Sequence, residues 1–143
     1  MIRWTRDAGI YICADIIAGL WEDNRDTILK TLDFMRQHQF EWINVYPCFA
    51  YPGTPLYEDY IKKGIIKEPE TWEAYSLYGK TCVPLPTKYL SSSEVLKIRD
   101  DIFRDYYQSP EILNMLEAKF GLDARAHVEQ MTKTSIERDL FNV

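Results

Sequence analysis

The sequence has little of the chemistry that marks nucleic-acid-binding, membrane-spanning or secreted proteins. Its formal net charge is −5, so no basic surface supports binding to a phosphate backbone. No apolar run approaches the roughly 18 residues that a membrane-spanning helix requires. The first residues, MIRWTRDAG, lack the apolar core of a signal peptide. We therefore expect a cytoplasmic protein with neither a nucleic-acid nor a membrane partner.

Cysteine and histidine are also scarce. The three cysteines, Cys13, Cys48 and Cys82, are each more than thirty residues from the next, and their odd number argues against a disulfide framework. With only His38 and His127 beside them, we predict no metal site in this chain. Each cysteine is expected to be a small buried side chain. We assign no role to His127, expected on a polar helix, or to His38, expected at a helix end.

What the sequence does contain is typical of a globular domain. Its 143 residues are 46% apolar and 27% charged, which suffices for one hydrophobic core. Aromatic residues are frequent at 14%, with ten tyrosines and four tryptophans.

The first half of the chain predicts a β-α-β unit. Residues 9–20 form a nearly continuous apolar run, typical of a parallel strand covered by helices on both faces. Asn24 is a helix N-cap, and apolar residues recur through 25–39 at helical spacing. A second buried strand follows at 40–48. Short connections between these elements favour a right-handed crossover and a parallel pair.

A turn and a third helix come directly after this unit. Tyr51, Pro52, Gly53 and Thr54 predict a type II β-turn, because proline fixes φ at the second position and glycine allows a positive φ at the third. Thr54 then caps a helix with proline at its first position, and Gly64 ends it.

The remainder, residues 67–143, predicts a helical extension. Its aromatic cluster of Trp72, Tyr75 and Tyr78 is expected to be core. The predicted elements are a short helix at 69–78, an extended linker at 80–90, a helix opened by the capping box Ser91–Glu94, a helix opened by Ser109-Pro110, and an amphipathic segment at 123–141.

Two strands cannot close a parallel sheet, and a pair with both edges open is prone to association. The opening residues RWTRDAG look like the end of a helix. We interpret the chain as α/β, the C-terminal part of a partial (β/α) TIM-like barrel at 1–66 followed by the helical extension at 67–143.

Two segments carry a resemblance to a known family. ADIIAGLWED and INVYPCFAYPGTPLYEDYIKKG together resemble the last two β-α units of the radical S-adenosylmethionine (SAM) enzymes. The segment LPTKYLSSSEVLKIRDDIFRDYYQSPEILNMLEAKFG resembles the C-terminal extension of their cobalamin-binding class. That class includes methyltransferases and the anaerobic oxidative cyclases of magnesium-protoporphyrin monomethyl ester. The resemblance spans roughly residues 8–122.

The resemblance implies a set of cofactor-binding residues. In the family, a strand ending in G-x-I-x-G-x-x-E contacts the adenine of SAM through apolar and backbone groups. Asp15 stands at the first glycine of that pattern, which is a departure, and WEDN replaces the usual P-G-E-T after the strand. The residues implied at the SAM site are Asp15, Ile17, Gly19, Glu22, Tyr46 and Pro47.

The resemblance further implies that the turn Tyr51, Pro52, Gly53 and Thr54 borders a substrate pocket. Alternatives remain for several of these residues. Asp15 is either a functional carboxylate or a polar residue satisfied at a strand edge. Glu22 is either a site residue or an ordinary acid at a helix N-terminus. The tyrosines either line a cavity or pack the turn against the barrel rim.

The family's cluster motif, C-x-x-x-C-x-x-C, is absent, and three scattered cysteines cannot replace it. The resemblance therefore implies a parent protein that uses SAM and a [4Fe–4S] cluster, with cobalamin as a further candidate. The chain alone is expected to bind none of them and to be inactive. Its implied partners are the missing N-terminal half of the barrel and a small-molecule substrate.

Our leading hypothesis is thus the C-terminal part of a radical SAM iron–sulfur oxidoreductase, cyclase or methyltransferase. The alternative is a non-catalytic α/β interaction module that acts through oligomerisation, including self-association, or through partner binding. A small α/β hydrolase is disfavoured because the chain has no G-x-S-x-G motif.

Overall fold

The computed structural model describes residues 1–141. Within them the chain is a mixed α/β protein with two parallel strands and six α-helices. The strands are β1 (Cys13–Ala18) and β2 (Trp42–Pro47). The helices are α1 (Ile2–Asp7), α2 (Arg25–His38), α3 (Pro55–Lys62), α4 (Ser92–Tyr107), α5 (Pro110–Phe120) and α6 (Leu122–Met131), and single 3-10 turns lie at Trp72–Tyr75 and Asp139–Phe141. None of these helices is long and apolar enough to cross a membrane.

The predicted β-α-β unit is confirmed. β1 and β2 pair in parallel, with Cys13 opposite Trp42 at one end and Ala18 opposite Pro47 at the other. Asn24 caps α2 through its side chain, which accepts a hydrogen bond from the Thr27 amide. Both strands are shorter than predicted, because apolar residues beyond their ends lie in connecting segments.

The prediction that helices cover both faces of the strands is wrong. On one face, Ile43 and Val45 of β2 are fully buried in a core formed with α2 and α4. On the opposite face, which we call the open face, Ile17 is 56% exposed and Tyr46 is 40% exposed. The open face carries the alternate residues of the two strands: Cys13, Asp15, Ile17, Trp42, Asn44 and Tyr46.

The prediction that both sheet edges are open is wrong for β2. Its outer edge is covered by α4, whose Tyr107 hydroxyl accepts a hydrogen bond from the Ile43 amide at 2.8 Å and donates one to the Ile43 carbonyl at 3.2 Å. Arg99 Nε donates to the Val45 carbonyl at 2.6 Å. Side chains of a helix thus occupy the positions that a third strand would take.

The outer edge of β1 has no such cover from residues 1–141. The Trp42 amide donates to the Ile12 carbonyl, and the Cys48 amide donates to the Ala18 carbonyl. Because successive residues of a strand direct their backbone groups to opposite sides, those of Cys13, Asp15 and Ile17 point away from β2. No other strand of residues 1–141 pairs with that edge.

A buried carboxylate links the amino-terminal ends of the two strands through hydrogen bonds. Glu41, which is 4% exposed, accepts hydrogen bonds from the Ile12 amide at 2.9 Å and from Lys119 on α5. Burial raises the pKa of Glu41, but the hydrogen bonds from Lys119 and Ile12 outweigh it, so the pKa is lowered. The ionised carboxylate therefore positions β1 against the helical extension.

The linker at 80–90 contains no helix or strand, with turns at its two ends, and it crosses the carboxyl ends of both strands. The Leu85 amide donates to the Cys48 carbonyl at 2.8 Å, just beyond β2. The Lys88 amide donates to the Trp21 carbonyl at 2.9 Å, in the loop beyond β1. The linker therefore holds the two strand-end loops side by side.

Two groups of side chains lie elsewhere than predicted. Only Cys82 is fully buried, whereas Cys48 is half-buried and Cys13 is exposed, because Cys13 belongs to the open face. The predicted core cluster is also wrong: Trp72 is 78% exposed and Tyr78 is 69% exposed. The segment 69–78 holds only one 3-10 turn, which is too short to bury an aromatic stripe.

Candidate functional site

The candidate site lies at the carboxyl ends of β1 and β2, where ligands bind in parallel α/β proteins. Ile17 and Tyr46 are direct neighbours in the strand register, and both side chains emerge on the open face. They form a half-exposed apolar wall beside the strand ends. Pro47, the next residue of β2, is buried on the opposite face with Val45.

Asp15 is paired within the sheet. The Asn44 side-chain amide donates to Asp15 Oδ1 at 2.8 Å across the two strands, and it lies 3.5 Å from the Cys13 sulfur. Burial, and then the Asp15 charge, raises the pKa of the Cys13 thiol, so the neutral thiol is favoured. The sequence interpretation missed Asn44, although an amide at a polar position of an otherwise apolar strand was a visible signal.

Gly19 ends β1 in a backbone conformation that a side chain would strain, with φ at +89°. A Cβ there would lie 2.5 Å from Val95 Cγ1 of α4. Its amide donates to Asp23 Oδ2 at 3.1 Å, and the Leu20 amide donates to the same oxygen at 3.0 Å. Packing and loop geometry therefore account for Gly19, and its amide already donates to Asp23, an acid that the sequence predicts at the N-terminus of the following helix.

Glu22 lies at the exposed tip of the loop between β1 and α2. Its nearest charged partner is Lys88 Nζ, 3.6 Å from Glu22 Oε2, and both side chains are more than half exposed. An ion pair this exposed contributes little to stability. Trp21 beside it packs edge-on against Tyr60, with ring centroids 5.8 Å apart, and so joins the loop after β1 to α3.

The turn Tyr51–Thr54 forms as predicted. Gly53 has φ at +82°, and the Thr54 hydroxyl donates to the Tyr51 carbonyl at 2.7 Å and accepts from the Tyr57 amide. The Tyr51 ring lies 5.6 Å from the Tyr75 ring, while Pro52 and Gly53 are exposed. No hydrogen bond or ring contact among residues 1–141 joins this turn to the Ile17 and Tyr46 wall.

The residues present fit the two implied cofactors differently. No group of three histidine, cysteine or acidic side chains among residues 1–141 could hold a metal ion, so the chain does not fit an iron–sulfur cluster. The wall of Ile17 and Tyr46 fits the flat, apolar faces of a purine. The Asp15 carboxylate already accepts a hydrogen bond from Asn44, and the Gly19 amide already donates one to Asp23.

No protein-family model, curated protein or solved structure matches the chain. The functional conclusion therefore depends on the geometry of these residues.

Proposed function

We propose that this chain supplies the last two β-α units and the helical extension of a radical SAM barrel of the cobalamin-binding class. The observation that carries the proposal is the difference between the two sheet edges. Side chains of α4 cover the outer edge of β2, whereas no other strand of residues 1–141 pairs with the outer edge of β1. In a barrel built by successive right-handed β-α-β steps, each new strand is added on the same side of the last. The strand before β1 would then pair with the uncovered edge, and β2, as the final strand, is closed by α4.

The open face fits the same proposal. In a barrel, alternate residues of each strand point into the interior, and the others face the surrounding helices. Ile17, Asn44 and Tyr46 would lie in the interior of the complete barrel, with Ile17 and Tyr46 at the end where ligands bind. There they would supply the apolar wall for the adenine of SAM, and the cluster would be held by cysteines of the other barrel half.

The coding sequence upstream of Met1 tests the proposal directly. We expect an in-frame C-x-x-x-C-x-x-C motif within about two hundred codons, the scale of one barrel. If the upstream frame is open over that distance without the motif, the proposal is wrong.

The wall is tested in the longer protein that such a frame would encode. Ile17→Asn places an amide against the proposed adenine position, and we expect weaker SAM binding by calorimetry. Leu29→Asn, at an exposed position of α2, is the matched control and should leave SAM binding unchanged. The 143-residue chain alone should show neither SAM binding nor cluster absorbance after anaerobic reconstitution, and a stoichiometric cluster would contradict our account of its cysteines.

The alternative function, a non-catalytic interaction module, is favoured by the same exposed edge. A proline at Ile17 removes an amide that points away from β2, whereas a proline at Ile16 removes one that points toward it. If the chain is an association module, Ile17→Pro should abolish oligomers in sedimentation experiments and leave the monomer folded. Ile16→Pro should unfold it. Monomers at all concentrations of the unmodified chain would contradict the alternative.

A further inference from the structure

A second concave region lies away from the strand-end site. A cavity of about 520 Å³ opens between β2, α4 and the segment from Met131 to Phe141, and we call it the α4 cavity. Trp42 and Asn44 border it, so it lies at the amino-terminal half of β2. Its volume is within the range of small-molecule sites, which is about 300–1,000 Å³.

The walls of the α4 cavity are aromatic and held in place by neighbours. Trp42 and Phe103 both line it, and each packs against Tyr107, with ring centroids 5.2 Å and 5.0 Å away. Phe141 and Tyr78 complete the aromatic lining. The Arg99 guanidinium lies over the Phe103 ring, 5.1 Å from its centroid, so Trp42 is the fixed ring that offers a flat surface to a planar ligand.

The charged groups around the cavity carry an excess of positive charge. The cations Lys97, Arg99 and Arg104 line it, together with the carboxylates Asp100 and Asp101. Lys97 and Arg104 lie 3.6 Å and 3.4 Å from Asp101, which they share. Because the whole chain has a net charge of −5, this excess is local and favours an anion.

Arg99 provides a donor for that anion. It is 3% exposed, its Nε donates to the Val45 carbonyl, and its Nη1 donates to Asp100 at 2.8 Å. Its Nη2 makes no hydrogen bond to any of residues 1–141. Arg138 also binds Asp100, at 3.1 Å, so the carboxylate is shared between two guanidinium groups. Arg99 lines the cavity, so its remaining N–H group, at Nη2, is placed to donate to an incoming carboxylate.

We propose that the α4 cavity binds a small planar aromatic carboxylate. Its ring packs against Trp42, and its carboxylate accepts hydrogen bonds from Arg99 with Lys97 and Arg104 at the mouth. The site shares Trp42 and Asn44 with the open face, but it uses neither the strand ends nor the uncovered edge of β1. Failure of ligand binding by the 143-residue chain would therefore leave the proposed radical SAM function untouched.

The probe is 1-naphthaleneacetate, and its neutral amide is the matched control ligand. Both are titrated into the 143-residue chain while the four tryptophan indole N–H signals are followed by NMR, with the Trp42 signal assigned by Trp42→Phe. We expect the acid to shift the Trp42 signal saturably. The amide should bind about tenfold more weakly, because it forgoes a charge-assisted contact. Equal affinities, or no Trp42 shift at millimolar acid, would overturn the proposal.

A variant of the cavity mouth tests the contribution of charge without disturbing the buried network. The double variant Lys97→Gln and Arg104→Gln changes two side chains that are 64% and 44% exposed. It should weaken binding of the acid severalfold and leave binding of the amide unchanged. The control variant, Lys30→Gln with Lys67→Gln, removes two exposed charges elsewhere and should bind both ligands normally. Unchanged affinity of the mouth variant for the acid would contradict the proposed anion site.

Discussion

The two edges of the β1–β2 sheet differ in how their backbone groups are satisfied. At the outer edge of β2, Tyr107 and Arg99 of α4 bind the carbonyls of Ile43 and Val45, and Tyr107 also accepts from the Ile43 amide. At the outer edge of β1, the backbone groups point away from β2, and no other strand of residues 1–141 meets them. One edge is terminated by a helix, while the other is left in the form that accepts a further strand.

The closed edge depends on buried charge, and the uncovered edge does not. Arg99 is held by Asp100, which also binds Arg138, and Arg138 donates to the carbonyls of Leu77 and Gly79. This network joins α4, the segment that precedes the linker, and the C-terminal segment. Within β1, in contrast, Asp15 has a neutral partner in Asn44 at an exposed position, and the buried Glu41 binds the Ile12 amide just before the strand begins. The stability of the chain should therefore depend far more on the β2 side.

The largest effect is expected from Asp100→Asn. The substitution keeps the size of the side chain but leaves the guanidinium groups of Arg99 and Arg138 without their shared carboxylate. Their side chains are 3% and 0% exposed, so the loss should lower the free energy of unfolding by about 3 kcal/mol. Urea denaturation at neutral pH measures it.

Asp101→Asn is the matched control for this prediction. Asp101 is the next residue of α4 and also has two cationic partners, but its side chain is 39% exposed. Its loss should cost less than about 1 kcal/mol. If the two variants are equally stable, buried charge does not hold the closed edge.

A smaller effect is expected from Tyr107→Phe. The substitution leaves the Ile43 amide and carbonyl unpaired in a buried position, which should cost about 2 kcal/mol at neutral pH. Burial raises the pKa of Tyr107 above its ordinary value. The stability due to this neutral phenol is complete below the unfolded pKa of about 10 and is lost as the pH rises above it.

Urea denaturation across the alkaline range separates the two contributions. The unmodified chain should lose stability as the pH rises above about 9, because burial raises the pKa of Cys82 to about 11 and also raises that of Tyr106. Tyr107→Phe should show a shallower loss, since one of the groups with a raised pKa is gone. Parallel pH profiles for the two proteins would mean that the Tyr107 hydroxyl does not close the edge.

Local chemistry made the elements around the site predictable from the sequence. The Asn24 cap, the Thr54-Pro55 helix start and the capping box of Ser91 and Glu94 all form as predicted. Each depends on residues within four positions of one another, so neighbouring letters suffice to identify them. The same holds for the turn at Gly53, whose positive φ only glycine adopts easily.

The closed edge and the polar pair on the open face could not be predicted in this way. Tyr107 lies 64 positions from Ile43, and its hydroxyl gave no sign in the sequence that it would replace a strand. An aromatic residue on a helix stripe predicts packing alone. The pairing of Asn44 with Asp15 depends on the strand register, which the hydrophobic pattern does not give to single-residue accuracy.

The smallest effect on stability is expected on the open side, where Ile16 and Ile17 give a matched pair. They are adjacent in β1 and carry the same side chain, but Ile16 packs against the core while Ile17 is 56% exposed on the open face. Ile17→Thr should change the free energy of unfolding by less than about 0.5 kcal/mol. Ile16→Thr should cost about 1 to 2 kcal/mol, because it buries a hydroxyl and removes a methyl contact.

Sedimentation velocity on the same two variants tests whether the open face mediates self-association of the chain. If the exposed apolar side chains of the open face form an interface with another protein surface, Ile17→Thr should reduce self-association of the chain. The substitution removes apolar area that association would bury. Ile16→Thr should not reduce it at concentrations where the chain remains folded. Equal costs in stability would mean that the two faces of β1 are covered alike. Unchanged association in Ile17→Thr would mean that the uncovered backbone edge, rather than the open face, brings chains together.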